Sequence, residues 1–127
     1  MAKRHEKRGN TSRIWLIFIN DSSSSTGAGL TGLTSSSIGL TCYYIRDTDT
    51  SETSVSLTTM SALGSYTSGG FREVSNTTMP GWYQFCPPNA ALSSSGTPHS
   101  VVFHFQGASN MEPLPLEVQL QALDFDA

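Results

Sequence analysis

Leu116-Glu117-Val118-Gln119-Leu120-Gln121 decides the fold of this chain. Apolar and polar residues alternate without interruption, and a period of two belongs to a β-strand, not a helix. One face of such a strand is buried and the other is wet, which points to an antiparallel sheet covered on one side. Working outward, Val101, Phe103 and Phe105 alternate with Val102, His104 and Gln106. Leu40-Thr41-Cys42-Tyr43-Tyr44-Ile45-Arg46 is rich in β-branched and aromatic residues, again a strand composition. Val55 to Thr58, Phe71 to Val74 and Trp82 to Phe85 read as shorter strands. Ile14 to Ile19 is apolar on both faces, so it is expected to be covered from both sides or buried in an interface.

Turn signals separate these runs. Gly69-Gly70 breaks the chain before Phe71, and Thr78-Met79-Pro80-Gly81 has the proline and glycine placement of a type II turn. Pro87-Pro88 ends the Trp82 strand, and residues 88–92 can form one helical turn before Ser94-Ser95-Gly96. With 127 residues, 37% hydrophobic and 13% charged, there is room for one domain with a small core. Twenty serines, fourteen threonines and eleven glycines disfavour helices and suit strands joined by tight turns. The expected fold is all-β: a single antiparallel β-sandwich, immunoglobulin-like or jelly-roll-like, of about seven strands over residues 13–127. A small barrel is the runner-up.

Residues 1–12 carry no hydrophobic period and are read as an extended basic arm. Lys3, Arg4, Lys7, Arg8 and Arg13 against Glu6 give the first thirteen positions a charge of +4. The remainder sets Arg46 and Arg72 against nine carboxylates, a charge of −7, and the two parts make the total of −3. A positive tether on an acidic body is suited to gripping acidic protein, including neighbouring copies of itself. Nucleic acid is disfavoured as a partner, because the body repels a polyanion and the basic residues are not interleaved with aromatics.

No apolar run approaches the ~20 residues that span a bilayer, and six are too few for the core of a signal peptide. Use without secretion and without a membrane is therefore expected. Cys42 and Cys86 have no metal-type spacing around them, and in a reducing compartment they are expected to be thiols, with a bridge as the alternative.

Chemistry-bearing patterns are sparse. Asp47, Asp49 and Glu52 share a loop, but it lacks the length, glycine and closing glutamate of an EF-hand. Ser93 to Ser95 near His99 lack a nucleophile elbow, and the Gly27 to Gly32 loop lacks the lysine of a phosphate cradle. The expectation is a protein with no catalytic residues, no cofactor and no metal. The aromatics are more informative. Most should fill the core, yet adjacent pairs such as Tyr43-Tyr44 and Trp82-Tyr83 must point to opposite faces. Trp15, Phe18, Tyr44, Trp82 and Tyr83 are taken as candidate interface residues.

Three segments in order carry a resemblance. They are Phe18 to Asp21 with Gly27 to Leu33 and Gly39 to Tyr44; then Gly69 to Val74 with Met79 to Tyr83; then Gly107 to Met111 with Pro113 and Leu116 to Val118. Together they resemble small β-sandwich proteins and modules of tailed-bacteriophage virions. The resemblance implies a virion structural protein assembled in the host cytoplasm, with other virion proteins as partners and homo-oligomers expected. Within that class, a capsid decoration or cement subunit bound to the major capsid protein leads. A tail or baseplate adaptor, or a fibre-anchoring module, is the alternative. A carbohydrate-binding module reading host glycans through exposed aromatics is a third possibility from another class.

Overall fold

The computed structural model describes residues 4–122. Nine strands form: β1 (Arg4–Lys7), β2 (Trp15–Phe18), β3 (Thr41–Arg46), β4 (Thr53–Ser54), β5 (Thr58–Thr59), β6 (Gly70–Ser75), β7 (Met79–Phe85), β8 (Ser100–Gln106) and β9 (Leu114–Gln121). A single 3-10 turn, Asn89–Leu92, stands where one helical turn was expected. The first sheet has the order β1-β9-β8-β3-β4 and the second β2-β7-β6-β5. The two sheets face each other as a β-sandwich. Most pairs are antiparallel, but β1 runs parallel to β9 and β5 parallel to β6.

Alternation dictates which side chains meet between the sheets. In β9, Leu116, Val118 and Leu120 are buried while Glu117, Gln119 and Gln121 lie at the surface. Val101, Phe103 and Phe105 of β8 face inward on the same rule. From the second sheet, Trp15 meets the ring edge of Phe103 at 5.3 Å, and Phe85 meets Phe105 at 4.8 Å. Phe71 stacks on Tyr83 at 4.9 Å within the second sheet. Each such buried ring contributes roughly 1.5–3 kcal/mol through the surface it removes from water.

The expected Pro80-Gly81 turn is corrected. The β6–β7 hairpin turns at residues 76–78, Ser75 pairs with Met79, and Pro80 and Gly81 lie inside β7. The glycine serves a close approach instead. Gly81 has a φ of 93° and packs directly on Gly29, where a Cβ on Gly29 would stand 2.5 Å from the Pro80 carbonyl oxygen and 2.8 Å from the Gly81 nitrogen. Ile19 N–H donates to the Gly81 carbonyl at 2.9 Å across the same contact. Gly39 and Gly107 make a second backbone-to-backbone approach, closing the loops at the ends of β3 and β8.

Part of the expected extended arm is a strand of the first sheet. Residues 4–7 are a strand in register with 118–121, and the chain then turns sharply, with Asn10 N–H donating to the Lys7 carbonyl at 3.1 Å. The sequence contains no apolar residue in this strand, which is why it has no hydrophobic signature; its place is fixed by polar contacts described next. The boundary between arm and body after residue 12 therefore does not mark a structural break. Lys3 lies outside the described residues.

Candidate interaction surface

The polar contacts of β1 converge on Trp15. Glu6 points inward, is 5% exposed, and accepts the Trp15 indole Nε1–H at 2.8 Å. It also accepts Asn10 Nδ2 at 2.8 Å and Arg13 Nε at 3.1 Å. The Arg4 guanidinium lies 5.2 Å from the centre of the Trp15 ring and donates to the Leu16 carbonyl, and its burial lowers its pKa. Arg8 donates to the Pro98 carbonyl at 3.1 Å. Of the expected interaction arm, Arg4, Arg8 and Arg13 thus engage their own body, whereas Lys7 lies exposed beside Gln121.

The candidate interface aromatics divide. Trp15 (2% exposed), Tyr44 (9%) and Tyr83 (0%) belong to the core, so their assignment to an interface is corrected. Tyr83 spans the layer to the loop after Gly29: its hydroxyl donates to the Leu30 carbonyl at 2.7 Å and accepts Leu33 N–H at 3.2 Å. Burial pushes that phenol up to about 12. Phe18 and Trp82 pair across strands on the outer side of the second sheet, with ring centres 5.3 Å apart, both half-buried. Leu16 stands beside them, 46% exposed.

An apolar open surface lies on the outer face of the first sheet. Cross-strand register places Tyr43 opposite His104 and Ile45 opposite Val102, in adjacent rows of β3 and β8. Tyr43, Ile45 and Val102 are 40%, 39% and 37% exposed. On the β9 side Pro115 faces His104 and Glu117 faces Val102. Around this centre lie polar groups: Thr41 opposite Gln106, Ser54 opposite Tyr43, and Ser100 opposite Gln119. The His104 ring is within 3.3 Å of Gln106 Oε1. An apolar centre with a polar rim is the make-up of a protein-binding patch.

Sequence reasoning found the right pair in Tyr43-Tyr44 but chose the wrong member. The register needed to choose was present in β8, since Tyr44 pairs with buried Phe103. His104 reads from its alternation with Phe103 and Phe105 as an exposed or interface strand position, and it lies half-buried on the outer face. Ile45 and Val102 were missed as surface residues because strand composition alone does not tell which face is covered.

Neither a protein family, nor a curated protein, nor a solved structure matches this chain.

The other chemistry-bearing residues act as loop ties. Asp47 Oδ1 accepts His99 N–H at 3.0 Å, and Asp49 Oδ2 accepts Arg46 N–H at 3.0 Å. Arg46 itself donates to the Ser93 and Ser95 carbonyls at 2.8 and 2.6 Å, holding the serine loop to β3. Among the described residues, no group of three His, Cys, Asp or Glu side chains is placed to hold a metal ion. A depression of about 400 Å³ lies between the loop after Gly32 and β6. Its two charged side chains are already committed to backbone: Glu73 Oε2 accepts Gly32 N–H and Arg72 Nη1 donates to the Met60 carbonyl, both at 3.0 Å. Cys42 and Cys86 are buried free thiols, and burial pushes Cys42 up to about 12.

Proposed function

We propose that this chain is a non-enzymatic structural unit of a bacteriophage particle, a decoration or cement subunit that adheres to neighbouring virion proteins. The observation that carries the adhesive reading is the patch of Tyr43, Ile45 and Val102 on the outer face of the first sheet. Three large apolar side chains side by side on a sheet face, ringed by polar groups, gain by being covered.

The virion placement draws on the resemblance of the three sequence segments. Their residues converge in space: Gly29 meets Gly81, Gly39 meets Gly107, and Asp21 bridges to Met111. Tyr83 reaches back to Leu30, and Glu73 to Gly32. The segments that carry the resemblance thus form joints that fasten loops to the sheets, which supports reading them as scaffold and not as a catalytic site. A cement subunit needs only such a rigid scaffold and a sticky face, since a modest free energy per copy is multiplied over many copies.

Val102→Lys and Tyr43→Ser test the reading. Each should lower binding to purified particles by tenfold or more, the behaviour of central interface residues, with the melting temperature nearly unchanged. Full binding by both variants would overturn the role of this face. Copy number per particle then separates shell from tail: hundreds place the protein on the capsid, a dozen or fewer in a tail or baseplate.

The half-buried Phe18–Trp82 pair beside exposed Leu16 favours a second reading, a glycan-binding face, because sugar rings stack on aromatic rings open at a surface. A glycan array without hits removes it.

A further inference from the structure

The geometry points to β1 as an exchangeable strand: the segment Arg4–Lys7 docks on β9 and Trp15 of a second copy of this chain as it does on its own. Four features lead there. β1 is an edge strand joined to its neighbour in parallel, so it can leave the sheet without unthreading any hairpin. It inserts no apolar side chain: its residues are Arg, His, Glu and Lys, and its inward contacts are the Glu6 and Arg4 interactions with Trp15. Release therefore withdraws no apolar side chain from the core and uncovers chiefly the part of Trp15 under Arg4 and Glu6. An edge segment with so few apolar contacts belongs to the less stable part of a fold. The receiving site is reproduced in every copy, so exchange restores the same four register pairs and the same indole-to-carboxylate bond.

Charge supplies the fourth feature. The segment through Arg13 carries +4 and the body −7, so a strand from one copy is drawn to the body of another. Residues 8–14, if extended, reach roughly 23 Å, enough to cross to an adjoining molecule. Contacts being equal in the two arrangements, the balance is set by the effective concentration of neighbouring copies and by the Lys7–Asn10 turn that closes the strand onto its own body. Crowded copies in an assembly would favour exchange, and dilute protein the closed form. This goes beyond adhesion through the outer face and does not depend on it.

The turn offers a handle. Gly9 has a φ of 87°, and a Cβ there would meet nothing within 4 Å. Gly9→Val therefore strains only the backbone of the closed turn, by a factor of roughly ten or more in favour of opening.

The test pairs two single variants, His5→Cys and Gln119→Cys, whose positions are register partners on the outer side of the strands. Mixed under mild oxidation, they should yield a disulfide-linked heterodimer joined at 5 and 119, identified by peptide mass mapping. Its yield should climb with protein concentration, and Gly9→Val on the His5→Cys chain should raise it about tenfold. The double variant at low concentration should close within one chain, reporting that the strand docks as described. The proposal is overturned if the mixture gives no 5–119 heterodimer at millimolar protein, or no more of it than of 5–5 and 119–119 links. Because the readout is the identity of the bond, it is independent of particle binding by Tyr43 and Val102.

Discussion

Gly29→Ala probes the close approach of the Gly29 loop to β7 with a single methyl group. Gly29 lies outside the left-handed region, so alanine is acceptable to the backbone there. In the unfolded chain the substitution removes conformational freedom, an effect that by itself would stabilise the fold by about 0.4–1 kcal/mol. The folded state opposes it. The new Cβ would stand 2.5 Å from the Pro80 carbonyl oxygen and 2.8 Å from the Gly81 nitrogen, well inside contact distance, and both are backbone atoms with no rotamer to change. Relief requires β7 and the Gly29 loop to separate, which stretches the 2.9 Å bond from Ile19 N–H to the Gly81 carbonyl. Overpacking of this kind costs roughly 1–3 kcal/mol or more. For a domain of this size that corresponds to a fall in melting temperature of roughly 3–10 °C, read by calorimetry or circular dichroism. Gly27 is the control, with a φ of 79° and open space around it. There the cost is conformational, about 1 kcal/mol, and does not grow from alanine to leucine. At Gly29 it grows steeply with side-chain size. A Gly29→Ala protein that melts at or above the parent temperature would refute the close approach.

Two further outcomes follow from buried groups. Glu6→Ala strips the Trp15 indole N–H of its acceptor in a site where Trp15 is 2% exposed, and an unpaired buried donor costs about 1–3 kcal/mol. Urea titrations should report that loss, and in the Glu6→Ala/Trp15→Phe pair the two effects should fall short of their sum by about 1 kcal/mol; strict additivity would mean the contact is not made. Cys42 provides a pH signature. Burial raises its thiol from 9.0 to about 12, so between those values the unfolded chain loses a proton that the folded chain retains. Stability should therefore decline as pH rises from 9 toward 12, and less steeply in Cys42→Ala; identical pH slopes for the two proteins would contradict the burial.

Much of the architecture could be read because water and core impose a period of two. Strands β3, β8 and β9 alternate, and their inward members Cys42, Tyr44, Val101, Phe103, Phe105, Leu116, Val118 and Leu120 are the buried ones. Where alternation is absent the reading failed. β1 is a strand made of four polar residues, and Glu6 points inward because Trp15, Asn10 and Arg13 all donate to it, partners that no periodicity in the strand reveals. Val55 to Thr58 read as one strand, but the chain leaves the first sheet after Ser54 and joins the second at Thr58, so most of the segment is the crossing between two short pairings in different sheets. Pro80-Gly81 has the composition of a turn, yet the space that glycine provides is used for packing against Gly29. The candidate surface was half legible. Opposed faces for Tyr43-Tyr44 and Trp82-Tyr83 follow from strand geometry, but which member is outside depends on the partner strand.

The charge split takes on a different meaning once the contacts are known. A +4 segment beside a −7 body suggests a tether with its charges spread toward a partner. In the fold, Arg13 turns to Glu6, Arg4 covers the Trp15 ring and Arg8 caps the Pro98 carbonyl. Of these contacts only Arg13–Glu6 is an ion pair, and Arg13 is 41% exposed, so screening weakens it and the three contacts fix register more than they add stability. That is the behaviour wanted of a strand that must dock correctly and still be able to leave. Apolar contacts would have locked β1 in place, whereas unguided charges would have let it slip along β9. Glu6, the one buried charge among the described residues, resolves this: a one-residue slip of β1 would carry its carboxylate away from the indole and turn His5 or Lys7 inward in its place. On the two proposals the same economy would separate the features: an apolar patch on the first sheet would give lasting contact, and a polar strand at its edge would give contact that copies could trade.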